Sequence, residues 1–113
     1  MKRKKVSILI FLLYTSIALS FVYGEELRLD GRVYETANKK GIAALTVKLI
    51  PPRGVRKPEK IVSTDERGEF HFTNIDQGKY LIEVYQGITI LYRSMVEINQ
   101  STRKDIPLRR KLQ

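Results

Sequence analysis

Thr64-Asp65-Glu66-Arg67-Gly68-Glu69-Phe70-His71-Phe72, followed after a short corner by Gly78-Lys79-Tyr80-Leu81-Ile82-Glu83-Val84, decides the fold of this chain. Aromatic and aliphatic side chains fall on every second residue, so each strand has one face in a core and the other in water. The stretch reads as strand, tight hairpin turn, strand, corner, strand. Asp65 suits the first turn position and Gly68 the positive φ that returns the chain to the ladder. Phe70 and Phe72 are the buried side of one strand, with His71 outward. Tyr80, Ile82 and Val84 are the buried side of the next.

Working outward, Leu27-x-Leu29-x-Gly31-x-Val33 alternates in the same way and is a half-buried first strand. Gly31 lies on its inward side, where a strand glycine marks a bulge or a close approach by another segment. Thr36 to Gly41 is a polar turn, and Leu45, Val47 and Leu49 bury a second strand that Pro51-Pro52 stops. Arg53 to Lys60 is a long basic loop, and Ile61 to Thr64 is the third strand. Ile75 is expected to plug one end of the core, beside the turn at Gly78. After Gly87, Ile88 to Ile98 is a sixth region, interrupted near Arg93-Ser94, where Ile88, Ile90 and Tyr92 hold one phase and Val96 and Ile98 resume it. Ile106 and Leu108 anchor a last strand, and Pro107 confines it to a sheet edge. About seven short strands and no helical period beyond residue 24 predict an all-β, Greek-key sandwich of two sheets.

The amino-terminal segment reads differently. Met1-Lys2-Arg3-Lys4-Lys5 is basic, Val6 to Tyr23 is apolar, and small side chains precede Glu25. These are the parts of an export signal, with cleavage expected after Gly24. The alternative is an uncleaved inner-membrane anchor formed by residues 6–23. The expected divisions are therefore a signal at 1–24, a sandwich domain at 25–108 and a basic tail at 109–113. Without cysteine, the chain has neither disulfides nor the acylation site of a lipoprotein. Export makes the expected location periplasmic or secreted.

Formal charge is +9, yet four of the 21 basic residues lie in the leader, and 17 basic residues then face 12 acidic ones. The excess gathers in Arg53, Arg56, Lys57 and Lys60 and in Arg103, Lys104, Arg109, Arg110 and Lys111. Charge of that size bears on solubility and nonspecific association. It does not call for nucleic acid.

Candidate chemistry is sparse. His71 is the single histidine and lacks the converging ligands of a metal site or the nucleophile of a catalytic pair. Asp65, Glu66 and Asp76 could meet as a calcium site only if sheet ends brought them together, since they lack the spacing of a calcium loop. Tyr34, Tyr85 and Tyr92 are the aromatics left for a sugar ring once the core is filled.

The order Gly31-x-Val33, Gly41-Ile42-Ala43 leading to Val47-x-Leu49, Thr64-Asp65-Glu66-x-Gly68-x-Phe70-x-Phe72 and Gly78-x-Tyr80-x-Ile82-x-Val84 resembles the carboxypeptidase regulatory-like domains. The resemblance covers residues 27–108 and implies a prealbumin-like (transthyretin-like) sandwich. Its motifs are turn and core positions, which specify a fold and leave activity open. Tyr92-Arg93-Ser94 is similar to the terminal signature of transthyretin-like hydroxyisourate hydrolases, but those enzymes use several histidines. The isopeptide bond of related pilin modules would need a first-strand lysine, and residues 27–33 contain none.

The sequence thus leads us to expect an exported, non-enzymatic binding or structural module of the bacterial envelope, without cofactor or metal. Its partner would be an envelope protein or polysaccharide, reached through sandwich-end loops or a free sheet edge. Membrane contact would come only through an uncleaved signal segment. The contact positions singled out are Tyr34, Tyr85, Arg53, Arg56 and Lys57. Gly31, Gly41, Asp65, Gly68, Gly78 and Gly87 are structural turns. A carbohydrate-binding module of similar sandwich fold is the alternative, and a transthyretin-like hydrolase the remote one.

Overall fold

The computed structural model describes residues 26–109, and the proposed signal, its cleavage site and Arg110 to Gln113 lie outside them. The strands are β1 (Leu27–Glu35), β2 (Thr46–Ile50), β3 (Lys60–Ser63), β4 (Glu69–Ile75), β5 (Gly78–Gln86), β6 (Thr89–Ile98), β7 (Thr102–Arg103) and β8 (Ile106–Leu108). One sheet runs β3-β2-β5-β6, and the other places β4 on one side of β1 and β7 and β8 on its other side. The described residues form an all-β sandwich of two sheets.

β7 and β8 occupy a single lane. Both pair parallel to β1, with Leu29 opposite Thr102 and Val33 opposite Ile106, so the register is unchanged across Lys104 and Asp105. Eight segments therefore fill seven lanes. Pro107, exposed on β8, stands at an outer edge as its missing N–H requires.

Between the sheets lie Leu29, Val33, Leu45, Val47, Leu49, Phe70, Phe72, Ile82, Val84, Ile98 and Ile106, each at most 2% exposed. Tyr80 and Ile75 close the end of this layer. Leu45, Val47, Leu49, Phe70, Phe72, Tyr80, Ile82 and Val84, which the alternation assigned to the core, are all buried in it. Phe70 and Phe72 meet edge to face, with centroids 6.0 Å apart and planes at 64°. Each buried phenyl contributes about 2–3 kcal/mol by leaving water.

Gly31 is where a second segment closes in, as its inward position suggested. It pairs with Phe70, and a Cβ there would fall 2.4 Å from the Phe70 ring and 2.0 Å from the Lys104 carbonyl oxygen.

Three local expectations are corrected. First, Asp65 to Gly68 is not a hairpin: β3 pairs with β2, whereas β4 pairs with β1 in the opposite sheet. The turn chemistry is as read, for Asp65 Oδ1 accepts the N–H groups of Arg67 and Glu69, both at 2.9 Å. Period-two patterning looks the same on both sides of a hairpin and of an arch between sheets. Second, Ile88 is 98% exposed at the tip of the β5–β6 hairpin. Gly87 (φ 60°) and Ile88 form a two-residue loop of the kind that takes glycine at its first position. Third, β6 continues through Arg93-Ser94. Its irregularity lies at Leu91, because Val84 opposes Tyr92 whereas Tyr85 opposes Ile90.

Thr64, one residue past the end of β3, is a buried clamp, 5% exposed. Its hydroxyl donates to the Ile42 carbonyl at 2.7 Å and accepts the Leu45 N–H at 3.0 Å. Replacing it with valine strands both backbone groups, each worth about 1–3 kcal/mol when buried and unpaired. Thr64→Val should therefore lower unfolding free energy by about 2–4 kcal/mol in a denaturant titration, whereas Thr64→Ser should lose about 1 kcal/mol.

Candidate functional site

The sequence-predicted contact residues do not converge. Tyr34 lies on the outer face of the β1 sheet, with the Arg32 guanidinium 5.6 Å from its ring centroid. Tyr85 lies on the outer face of the other sheet, with Lys48 Nζ 4.6 Å from its ring. Strand alternation puts the two rings on opposite sides of the sandwich. Arg53 and Arg56 are exposed in the loop after β2, at the end where β4 gives way to β5. The basic tail begins at the other end, beyond β8, so the two positive clusters are separated.

Lys57 is the exception, because it folds back to form an ion pair with Asp76. The pair borders a pocket of about 250 Å³ whose wall includes Pro58, Lys60, Asn74, Ile75 and Tyr80. The Tyr80 hydroxyl donates to the Asp76 carbonyl at 2.8 Å, and burial raises its pKa. Asp76 is thus tied to the loop and lies beyond the C-terminal end of β4, whereas Asp65 and Glu66 precede its N-terminal end. The seven residues of β4 put more than about 20 Å between them, so the three carboxylates do not form a calcium cage.

His71 is half exposed and faces away from the core. Its Nδ1 lies 2.7 Å from Asp30 Oδ1, and Arg28 pairs with the same oxygen at 3.4 Å. Burial alone would raise the Asp30 pKa, but the His71 hydrogen bond and the Arg28 charge bring it below its usual value. Among the described residues no nucleophile is hydrogen-bonded to this group, which braces β1 against β4.

The feature that sequence reading passed over is Glu83. By alternation it faces out from β5, yet it is only 4% exposed. Tyr85 Oη donates to Glu83 Oε1 at 2.9 Å and Arg93 Nε donates to Oε2 at 2.6 Å. Lys48 is its cross-strand neighbour on β2, and Arg93 its neighbour on β6. Desolvation favours the neutral acid, but these hydrogen bonds and charges prevail and lower its pKa. The Glu83 hydrogen bond raises the Tyr85 pKa in turn.

Around this charged row lie exposed apolar side chains: Ile61 on β3 at 53%, and Ile90 and Met95 on β6 at 43% and 60%. A basic residue directly opposite Glu83 on each neighbouring strand, Lys48 and Arg93, was the available signal. It becomes visible only once the register is known.

The sheet edges differ in kind. β3 has four residues, and the β7/β8 lane is broken and carries Pro107. β4 has a register shift against β1 and an Asn74 at φ 54°. β6 has ten residues, slips once against β5 at Leu91, is regular from Tyr92 to Ile98, and bonds backbone-to-backbone only with β5 among the described residues. A long edge strand of this kind is a template for another strand.

The geometry defines a β-sandwich module with a continuous strand at one edge. Residues 27–108 match the family described as BOS complex subunit NOMO1-like, second beta sandwich domain, and the chain belongs to that family. The fold is also that of BcpA, the major pilin subunit of Bacillus cereus (TM-score 0.62, 21% identity, 76% of this chain and 30% of that one). A DUF3823 family protein from Parabacteroides merdae gives a TM-score of 0.59 at 14% identity, covering 76% of this chain and 47% of its own. A candidate carbohydrate-binding protein from Pseudomonas aeruginosa gives 0.51 at 18%, covering 75% and 88%. The chain thus spans about 30% of the pilin's length. Comparison with curated proteins found no match.

Acid sensitivity follows from the carboxylates. Glu83, Asp30 and Asp65 all titrate lower when folded than is usual, Asp65 chiefly through the Glu69 N–H. Their contribution is complete above the unfolded carboxyl range, about pH 4, and is lost as pH falls through the depressed folded values. Thermal melts should hold steady from neutral pH to about 5 and then drop, and Glu83→Gln should shrink that drop.

Proposed function

We propose that this chain is a non-enzymatic binding or structural module that works through protein–protein contact along the β6 edge. One observation carries the reading: β3 is short, the β7/β8 lane is broken and β4 is irregular at its end, whereas β6, past its single slip at Leu91, runs unbroken from Tyr92 to Ile98 with no backbone partner on its outer side among the described residues. Main-chain pairing supplies affinity in such a contact, and alternate side chains supply selectivity.

The turn motifs at Gly41-Ile42 and Asp65–Gly68 support grouping it with carboxypeptidase regulatory-like modules of prealbumin type. The basic cap, apolar run and small residues before Glu25 support export, with work in the periplasm or outside the cell. Likeness in fold to a pilin subunit accords with an assembling role.

Sugar binding has weaker support. A stacking platform needs an open aromatic face, and Lys48 and Arg32 lie over the two tyrosines. A glycan array should give no saturable signal, and a Tyr34→Ala-sensitive signal would revive that reading.

Capture from envelope extract tests the edge. Lysines placed at Ile90 and Met95, both already exposed, should reduce captured protein to background while leaving the melting temperature unchanged. Capture indifferent to both substitutions would remove β6 as the contact.

A further inference from the structure

We infer that β6 pairs with β6 of a second copy of this chain, antiparallel and centred on Met95, joining two four-stranded sheets into one. The inference rests on the reading of β6 as the contact edge and adds the partner and the register.

It begins from the sequence of the edge, Thr89-Ile90-Leu91-Tyr92-Arg93-Ser94-Met95-Val96-Glu97-Ile98. Arg93, Met95 and Glu97 share the outer face, because Val96 and Ile98 are buried inward. A two-fold axis through Met95 sets each residue against the one equally far on the other side. Arg93 then faces Glu97 of the second copy, Glu97 faces its Arg93, and the Met95 side chains meet on the axis. Both ion pairs come from one strand and one symmetry operation, as an isologous interface demands. Opposite charges directly across an antiparallel ladder stabilise it, and like charges oppose it.

The neighbouring strands extend the match. Lys48 opposes Glu83, and Glu83 opposes Arg93, while Glu97 opposes Lys79. Across the axis the row therefore reads Lys48, Glu83, Arg93, then Glu97 and Lys79 of the second copy, alternating in sign without a break. Shifting the pairing by two residues sets Met95 opposite Arg93 or Glu97 and breaks both ion pairs, and shifting it by four sets Arg93 or Glu97 opposite its own counterpart. Met95, 60% exposed in the monomer, gains cover at the centre. Glu83 anchors the Arg93 guanidinium through Nε at 2.6 Å, which leaves its terminal nitrogens for the second copy.

The register can be read chemically, because the chain has no cysteine of its own. Facing Cβ atoms across an antiparallel pair stand about 5 Å apart, close to the roughly 4 Å of a disulfide. The full chain carrying Met95→Cys should cross-link to a covalent dimer under mild oxidation, and Ile61→Cys, equally exposed on β3 at the far edge, should not. In sedimentation velocity the wild type should be a dimer. Met95→Lys and Met95→Glu should each be monomeric, and their equimolar mixture should recover the dimer.

A monomeric wild type overturns the inference. So does a dimer that ignores charge at residue 95, or one that cross-links equally through residue 61; association through residues 6–23 would behave that way. A monomer that still captures an envelope protein through β6 overturns self-pairing and leaves the edge reading intact. Capture indifferent to the Ile90 and Met95 lysines would remove that reading as well.

Discussion

Two backbones with no side chain between them hold this sandwich together at one end. Gly41 lies against the Arg67–Gly68 peptide so closely that a Cβ would fall 1.9 Å from the Arg67 carbonyl oxygen. Gly68, at φ 80°, faces Val33 and Ile42 with no more room. Through this contact the Val33 N–H donates to the Gly68 carbonyl and the Ile42 N–H donates to the Val33 carbonyl, at 2.8 and 2.9 Å. The end of β1, the arm leading to β2 and the arch between β3 and β4 are thereby one hydrogen-bonded unit. Thr64 fastens the same arm from the other sheet. An added methyl at either glycine must push backbone against backbone, which costs far more than a flexible side chain giving way. For a small domain with little stability to spare, the two sheets depend on that junction.

The charged row on the outer face answers a different need. A buried carboxylate is costly unless it is paired and hydrogen-bonded, and Glu83 has both forms of compensation. Such groups contribute specificity more readily than net stability. Here they fix where Arg93 stands on the outermost strand. The polar interaction inside the sheet therefore sets the charge pattern that the sheet edge presents outward.

The layers of the fold were legible in the alternation because burial on one face is written every second residue. Leu45, Val47, Leu49, Phe70, Phe72, Tyr80, Ile82 and Val84 needed no further information. Gly31 was legible as a close approach because an inward strand glycine has few other reasons to exist. The arch at Asp65–Gly68 was not, since local hydrogen bonds close its turn the same way whichever sheet the next strand joins. Nor was the slip at Leu91, which depends on how β6 meets β5 and leaves no mark in either strand alone. The spatial arrangement of the candidate positions was hidden for the same reason. Tyr34 and Tyr85 look equivalent as half-exposed aromatics, and only the assignment of β1 and β5 to different sheets separates them. Glu83 looked like any solvent-facing strand residue until the register brought Lys48 and Arg93 to its sides.

A fold shared with a pilin subunit, a DUF3823 protein and a candidate carbohydrate-binding protein cannot by itself choose among their tasks. What distinguishes one such sandwich from another is what its surface leaves undone. Several exposed charges here are paired within the domain: Asp30 with His71 and Arg28, Asp76 with Lys57, Asp105 with Arg103. Each brace joins neighbours within the domain. The outer side of β6 differs, because its backbone groups are directional and strong, and among the described residues no second strand pairs with them. β3 is short, the β7/β8 lane is broken and β4 is kinked at Asn74, so those three edges offer less unbroken backbone to a foreign strand than β6 does from Tyr92 to Ile98. Leaving the fourth long, with its charges spaced evenly about a central methionine, makes that edge the part of the molecule most specific to this sequence.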